Sequence, residues 1–233
     1  MKRFYDHAGA APAEGGFAVT LDGRVAKTPK QRPLVLPGAA LAEAVAAEWQ
    51  AQAGEIRPHH MPLTRLATTL IELLPERRAD MVREAAAYAE TDLVCHRADA
   101  PAELAARQEE GWQPLVDWLA ERHGARLETA CGVLPVAQPA EALAALRAVV
   151  ESYDDPALVA LHALVTTSGS LVIALALAGG RIDAETAWES SRIDERYQIE
   201  KWGEDAEAAE ARARVAADFH AAARFLALNR ICV

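Results

Sequence analysis

The sequence predicts an α+β fold, with a small N-terminal antiparallel β domain followed by a larger, mainly α-helical domain. Three observations carry that prediction. Over the first forty residues short apolar runs alternate with turn dipeptides and prolines, the pattern of brief strands. From Gly38 the apolar period lengthens to that of an amphipathic helix. Alanine supplies much of the 52% hydrophobic content while aromatics reach only 6%, which favours helices in close contact.

Element by element, Phe17-Ala18-Val19-Thr20-Leu21 reads as a strand, and Asp22-Gly23 as the two-residue turn of a hairpin. Arg24 to Thr28 supplies the return strand, and Pro33 to Pro37 a third strand with prolines at its ends. Phe4-Tyr5 is a candidate fourth, and Ala8 to Gly16 reads as turn-rich. Leu41, Val45, Trp49 and Gln52 then mark a helix stopped by Gly54. Further helices are expected from Leu63 to Leu74, and from Pro75 to Ala89. Thr91 to Arg97 reads as a strand or extended linker, with Arg126 to Ala130 as its pairing partner. A long helix follows to His123, opened by Asp99 and Pro101, with Leu104, Trp112, Leu115 and Leu119 on one face. Later helices are expected over 139–153, 156–179, 183–202 and 204–228. The domain boundary is placed after the first helix, giving a β-rich domain over 1–54 and a helical domain over 55–233.

Composition removes several function classes. Lys+Arg 24 against Asp+Glu 34 leaves a formal charge of −10 over 233 residues, which disfavours nucleic acid and anionic lipid as partners. Cys95, Cys131 and Cys232 are odd in number and show no CxxC spacing, so inert thiols in a reducing compartment are expected. The N-terminus has no apolar core of a signal peptide, and the chain is expected to stay where it is made. Between Asp155 and Arg181 no residue is charged, and one helix over that stretch would reach roughly 36 Å, a bilayer's thickness. Its middle, however, carries His162, Thr166, Thr167, Ser168 and Ser170, so a central helix wrapped by others is expected and membrane insertion is not.

Catalytic patterns are sparse. Neither GxxxxGK[ST] nor GxGxxG is present, and Thr167-Ser168-Gly169-Ser170 lacks the strand that a nucleophile elbow needs. Its hydroxyls are expected to bond back to carbonyls one turn earlier, with Gly169 admitting a close helix neighbour. None of the seven histidines has HxxxH spacing, so no metal is expected; His59 and His60 should point apart, and His162 should be a satisfied core histidine. Glu204 to Arg214 reads as the solvated start of a helix. The segment before it is less ordinary. Glu195, Gln198 and Trp202 fall at steps of three and four, making a stripe of carboxylate, amide and indole suited to a partner-binding face or a polar anchor.

The string Glu195…Tyr197-Gln198-Ile199-Glu200-Lys201-Trp202-Gly203 resembles the C-terminal signature of the ATP-twelve family, the assembly chaperones specific for the α subunit of the F1-ATPase. Other strings match in order: Arg3-Phe4-Tyr5, Leu21-Asp22-Gly23-Arg24, Lys27-Thr28-Pro29, Glu48-Trp49, Met61-Pro62-Leu63-Thr64, Thr91-Asp92-Leu93-Val94-Cys95 and Gly169-Ser170-Leu171-Val172. The resemblance implies a β domain followed by a helical one, and an ATP-independent chaperone rather than an enzyme. Such a chaperone binds the free α subunit, prevents its aggregation and releases it to the β subunit without a cofactor. It implies Glu195, with Gln198, Trp202 and Gly203, as partner-binding residues, and the bacterial cytoplasm as the location, the eukaryotic members being mitochondrial. The alternative is a small-molecule enzyme with a carboxylate–histidine pair in an inter-domain cleft, His59 or His96 facing Asp92.

Overall fold

The computed structural model describes residues 1–132 and 136–230 and shows a small antiparallel sheet followed by a mainly helical chain. Cys232 lies outside the described residues. The chain divides into two compact units. One comprises Met1–Arg78 with Asp154–Ala160 and the chain from Ala221 onward; the other comprises Ala79–Tyr153 and Leu161–His220.

In the first unit, β1 (Ala8–Ala13) pairs along its length with β2 (Gly16–Leu21), from Ala8 opposite Leu21 to Ala13 opposite Gly16. The other edge of β2 is shared by β3 (Arg24–Val25) and β4 (Val35–Leu36), both antiparallel to it. Asp22 (φ 48) and Gly23 (φ 77) make the two-residue turn between β2 and β3, as Asp-Gly predicts. The Asp22 carboxylate also accepts from the Asp6 and His7 amides and ties the N-terminal segment to that turn. Helix α1 (Ala39–Gln50) packs across β1 and β2, and buries Leu41 and Val45 with Val19, Leu34 and Leu36 in the core. A 3-10 turn (Pro58–His60) leads into α2 (Pro62–Glu72).

Differences from the sequence reading have local causes. Ala8 to Gly16, expected to be turn-rich, contains β1, because its Ala and Gly residues, poor strand formers alone, gain a six-residue ladder and let α1 lie close. Its Pro12 is tolerated because β1 is an edge strand. Phe4-Tyr5 is not a strand. It is pinned by the Arg3 guanidinium, which donates to the carbonyls of Tyr5, Gln52 and Asp6, and by the Tyr5 hydroxyl, which donates to Trp49 O at 2.7 Å. The return strand is shorter than expected, since the chain turns again at Gln31 (φ 64).

Helix α3 (Leu74–Ala87) runs into a 3-10 turn (Tyr88–Thr91) and then a second (Leu93–Cys95), so the Thr91 to Arg97 run is extended only at β5 (His96–Arg97). β5 pairs in parallel with β6 (Ala130–Cys131), at the end of the Arg126 to Ala130 segment. Helix α4 (Ala102–His123) is the axis of the second unit. Its Trp112, Leu115 and Leu119 are buried as predicted, and the Trp112 indole donates to Ser190 O at 2.7 Å. Asp99 does not cap it; Pro101 holds the N-cap position. Helix α5 (Ala140–Glu151) follows.

The single helix expected over 156–179 is two, α6 (Asp155–Ser168) and α7 (Leu171–Ala178). Gly169 sits at φ 75, a left-handed position that ends α6, and nothing lies within 4 Å of where its Cβ would be. The glycine therefore serves the dihedral and not a close helix neighbour. The hydroxyls of Thr166, Thr167 and Ser168 do bond back to the carbonyls of His162, Ala163 and Leu164. Among the described residues no helix is long and apolar enough to cross a membrane. The helix expected over 183–202 is likewise divided, into α8 (Ala184–Ser190) and α9 (Ile193–Trp202). Arg192 leaves helical dihedrals between them, and its guanidinium donates to the Thr167 carbonyl. The chain continues into α10 (Ala206–Arg230), whose first turn is capped by Asp205 accepting from Ala208 N.

Candidate functional site

Helix α9 has one face committed to the fold. Tyr197 is buried against α4, with the Arg107 guanidinium 5.4 Å and the Lys201 ammonium 5.1 Å from its ring centre. Arg107 bridges Glu200 and Glu103, Lys201 reaches Glu103 at 2.8 Å, and Gln108 donates to Asp194 at 2.6 Å. Lys201 beside Glu103 holds that carboxyl below its ordinary range, and Glu200 and Glu103 hold the Arg107 guanidinium above its own. A residue two positions from Tyr197 is turned about 200° around the helix. Glu195 therefore leads a second stripe, with Gln198 and Trp202 on it, facing away from α4.

That second stripe is open. Gln198 is exposed and Trp202 is 77% exposed at the end of the helix. Glu195 is 37% exposed and lies between two guanidiniums, 3.8 Å from Arg192 and 3.8 Å from Arg212. Burial lowers the Arg192 pKa, and Arg212 pushes in the same direction while Glu195 opposes. Arg212 also pairs with Glu204. Gly203 ends the helix at φ 83, where a side chain would be strained, and its amide donates to Ile199 O at 2.8 Å. The four residues singled out in the sequence thus lie on one outward face and its terminus. Sequence reasoning missed Arg107 and Arg212, which lie on other helices at long separation, where periodicity carries no signal.

Asp92 has a different setting. Its carboxylate is fully buried and accepts from the Ser170 hydroxyl at 2.5 Å and from the amides of Leu171, Val172 and Val94 at 2.7, 3.1 and 3.2 Å. Burial raises its pKa to about 6, against the pull of these hydrogen bonds. Ser170 in turn caps α7 by accepting from Ile173 N. Among the described residues the hydrogen-bond partners of Asp92 include no histidine, and the pairing with His96 of the same unit does not form. The Cys95 thiol is pushed up to about 12, mainly by burial and next by Asp92, and is unreactive. In the first unit Glu48 plays a parallel part at the start of α2, accepting from the amides of Leu63 and Thr64 and from the Thr64 hydroxyl, each at 2.8 Å. Burial pushes its pKa upward.

The histidines are dispersed. His59 and His60 do not diverge as expected; in the 3-10 turn their rings meet edge to face, 4.1 Å between centres. His162 is half-buried, with Nε2 3.1 Å from Glu84. Among the described residues no group of three His, Cys, Asp or Glu side chains is placed to hold a metal ion.

Residues 2–120 match the family model described as ATP12 chaperone protein. This chain belongs to the ATP12 chaperone family. Three solved structures extend the likeness over nearly its whole length. Atp12 from Paracoccus denitrificans is 46% identical, covers 98% of both chains and superposes with a TM-score of 0.92; a point mutant of that protein does the same. The Atu1473 protein of Agrobacterium tumefaciens is 39% identical, with 97% of this chain and 85% of that one covered, at a TM-score of 0.92. The mitochondrial protein atp12 of Schizosaccharomyces pombe is 22% identical over 215 residues, 87% of this chain and 74% of that protein. The match to the ATP12 family model ends at residue 120, before α9, so the string on that helix is spanned by the structural likeness and not by the family match.

Proposed function

We propose that this ATP12 family member is an ATP-independent assembly chaperone that binds the unassembled F1-ATPase α subunit, prevents its aggregation and hands it on to the β subunit, catalysing no reaction. We further infer that Glu195, Gln198, Trp202 and Gly203 form part of the client-binding surface, and that the chaperone acts in the bacterial cytoplasm. The observation that carries the site is the division of α9: one face is locked to α4 through Tyr197, and the other leaves an indole exposed beside a half-exposed carboxylate. An indole exposed to solvent gives up favourable burial, about 1.5–3 kcal/mol for a large apolar side chain, and centres of protein interfaces are enriched in such residues.

The proposed role suits these physical properties. A subunit without its neighbours exposes interface-sized apolar surface, which self-associates. A chaperone that covers this surface and is later displaced needs a few good anchors rather than a continuous apolar face. Its charge of −10 keeps the complex soluble. The direct test is purified α subunit diluted from denaturant with and without this protein, followed by light scattering and by co-purification. Suppressed scattering and a recovered complex are expected. If the α subunit aggregates at the same rate and elutes alone, the assignment to that client is wrong.

A further inference from the structure

The α9 surface leaves unexplained a groove within the N-terminal unit, of about 1150 Å³, larger than most small-molecule pockets. Five of the strings that carry the family resemblance meet there, contributing among others Phe4, Val25's neighbour Arg24, Lys27, Trp49 and Met61. We propose that this groove holds an extended apolar segment of a client polypeptide, with an acidic side chain flanking the apolar run. The inference rests on the reading of the protein as a client-binding chaperone, and adds a second contact of stated chemistry to it.

Three observations point to that occupant. The groove walls are apolar and incompletely covered: Met1 is 73% exposed, Phe4 65% and Val25 45%, three of the six large apolar side chains left exposed among the described residues. Val25 belongs to the edge strand β3. Ala26 N donates to Val19 O, so the alternation of an antiparallel pair turns the Val25 amide and carbonyl away from β2, toward a chain added alongside. The rim has a charge opposite to that of the molecule. Arg24 and Lys27 flank Val25, both exposed, and neither has an ion-pair partner among the described residues. Asp22 lines the groove as well, and the amides of His7 and Asp6, with burial opposing, hold its pKa low, so it stays ionised but is outnumbered by Arg24 and Lys27. An acidic group is therefore attracted to the rim and a basic one repelled.

The probes are two fluorescein-labelled peptides of about ten residues, the length of a long strand, alternating Val and Thr. One carries Glu at each end and its twin carries Lys. Fluorescence polarisation with the full chain is expected to show the Glu peptide binding about tenfold or more tighter than its twin. In the double variant Arg24→Glu, Lys27→Glu, checked for folding by circular dichroism, the preference should invert. The same Glu peptide should compete with purified α subunit. Equal affinity for the twins, no binding of either, or a preference unchanged in the double variant overturns the proposal. So does binding of dodecanoate in place of the peptides, or a dimer in sedimentation that Phe4→Asp dissolves, since a lipid or a second copy would then own the groove. If the α subunit binds but the Glu peptide does not displace it, the groove is no client site while the chaperone reading stands. If the peptides behave as expected and the α subunit does not bind, the groove stands and the client is another protein.

Discussion

Asp92 and Glu195 are acidic side chains of the same unit with opposite surroundings. Asp92 has no exposed surface and meets four donors, all of which belong to the start of α7 or to its own turn. Glu195 keeps over a third of its surface in water and meets two guanidiniums at 3.8 Å, beyond hydrogen-bond length. The first carboxylate is used up by the fold. The second has unspent acceptor capacity on a surface that also bears an exposed indole. A motif residue is thus classified by what its side chain already touches, and not by its being part of the motif.

The largest effect of a substitution is expected at Asp92. Replacing it with Asn sets an NH2 group against donors, and Asp92→Asn is expected to destabilise the chain by about 2 kcal/mol at pH 7, read as a lower urea midpoint. Its titration adds a pH dependence. The folded chain holds the Asp92 proton to about pH 6 against an ordinary 3.8, so the unfolded chain loses that proton first as pH rises. Wild-type stability should therefore decline from about pH 4 to about pH 6 through this group and level off above. The total is on the order of 3 kcal/mol. Asp92→Asn should lack that component, so the margin of wild type over variant narrows across the window. A margin constant from pH 4 to 7 would mean that the four hydrogen bonds offset burial and folding does not raise the Asp92 pKa.

Smaller effects are expected on the open face. Trp202→Ala should weaken client binding by about tenfold while changing stability by no more than about 0.5 kcal/mol. Loss of stability without loss of binding would return Trp202 to the fold. Glu195→Lys places a third cation between Arg192 and Arg212. The side chain is half-exposed, so the urea midpoint should move little while α-subunit capture, measured by co-purification, falls. If Glu195→Lys unfolds the chain instead, the carboxylate neutralises the two arginines as part of the structure, and the contrast with Asp92 disappears.

The legible and illegible parts of the molecule separate along the same physical line. Patterns within one element were readable: the Asp-Gly turn, the buried face of α4 at Trp112, Leu115 and Leu119, the back-bonding hydroxyls of α6, and the stripe at Glu195, Gln198 and Trp202. Breaks decided by distant partners were not. Gly169 and Arg192 interrupt apolar and mixed runs that look continuous, because Asp92 and Ser170 cap a new helix at one break, and the Thr167 carbonyl takes the Arg192 guanidinium at the other. β1 was missed because Ala and Gly carry no strand signal of their own.

By itself the amino-acid order determined the change from strands to helices, the spacing of the α9 stripe and the ordered strings that place the chain in the ATP12 family, since all three reside in local period and residue identity. Tertiary structure decided which carboxylate is buried and which is open, which face of α9 Tyr197 ties to α4, and that five separate strings line one groove. Those outcomes depend on desolvation and on donors supplied from far along the chain, and neither quantity is a property of any short stretch of sequence.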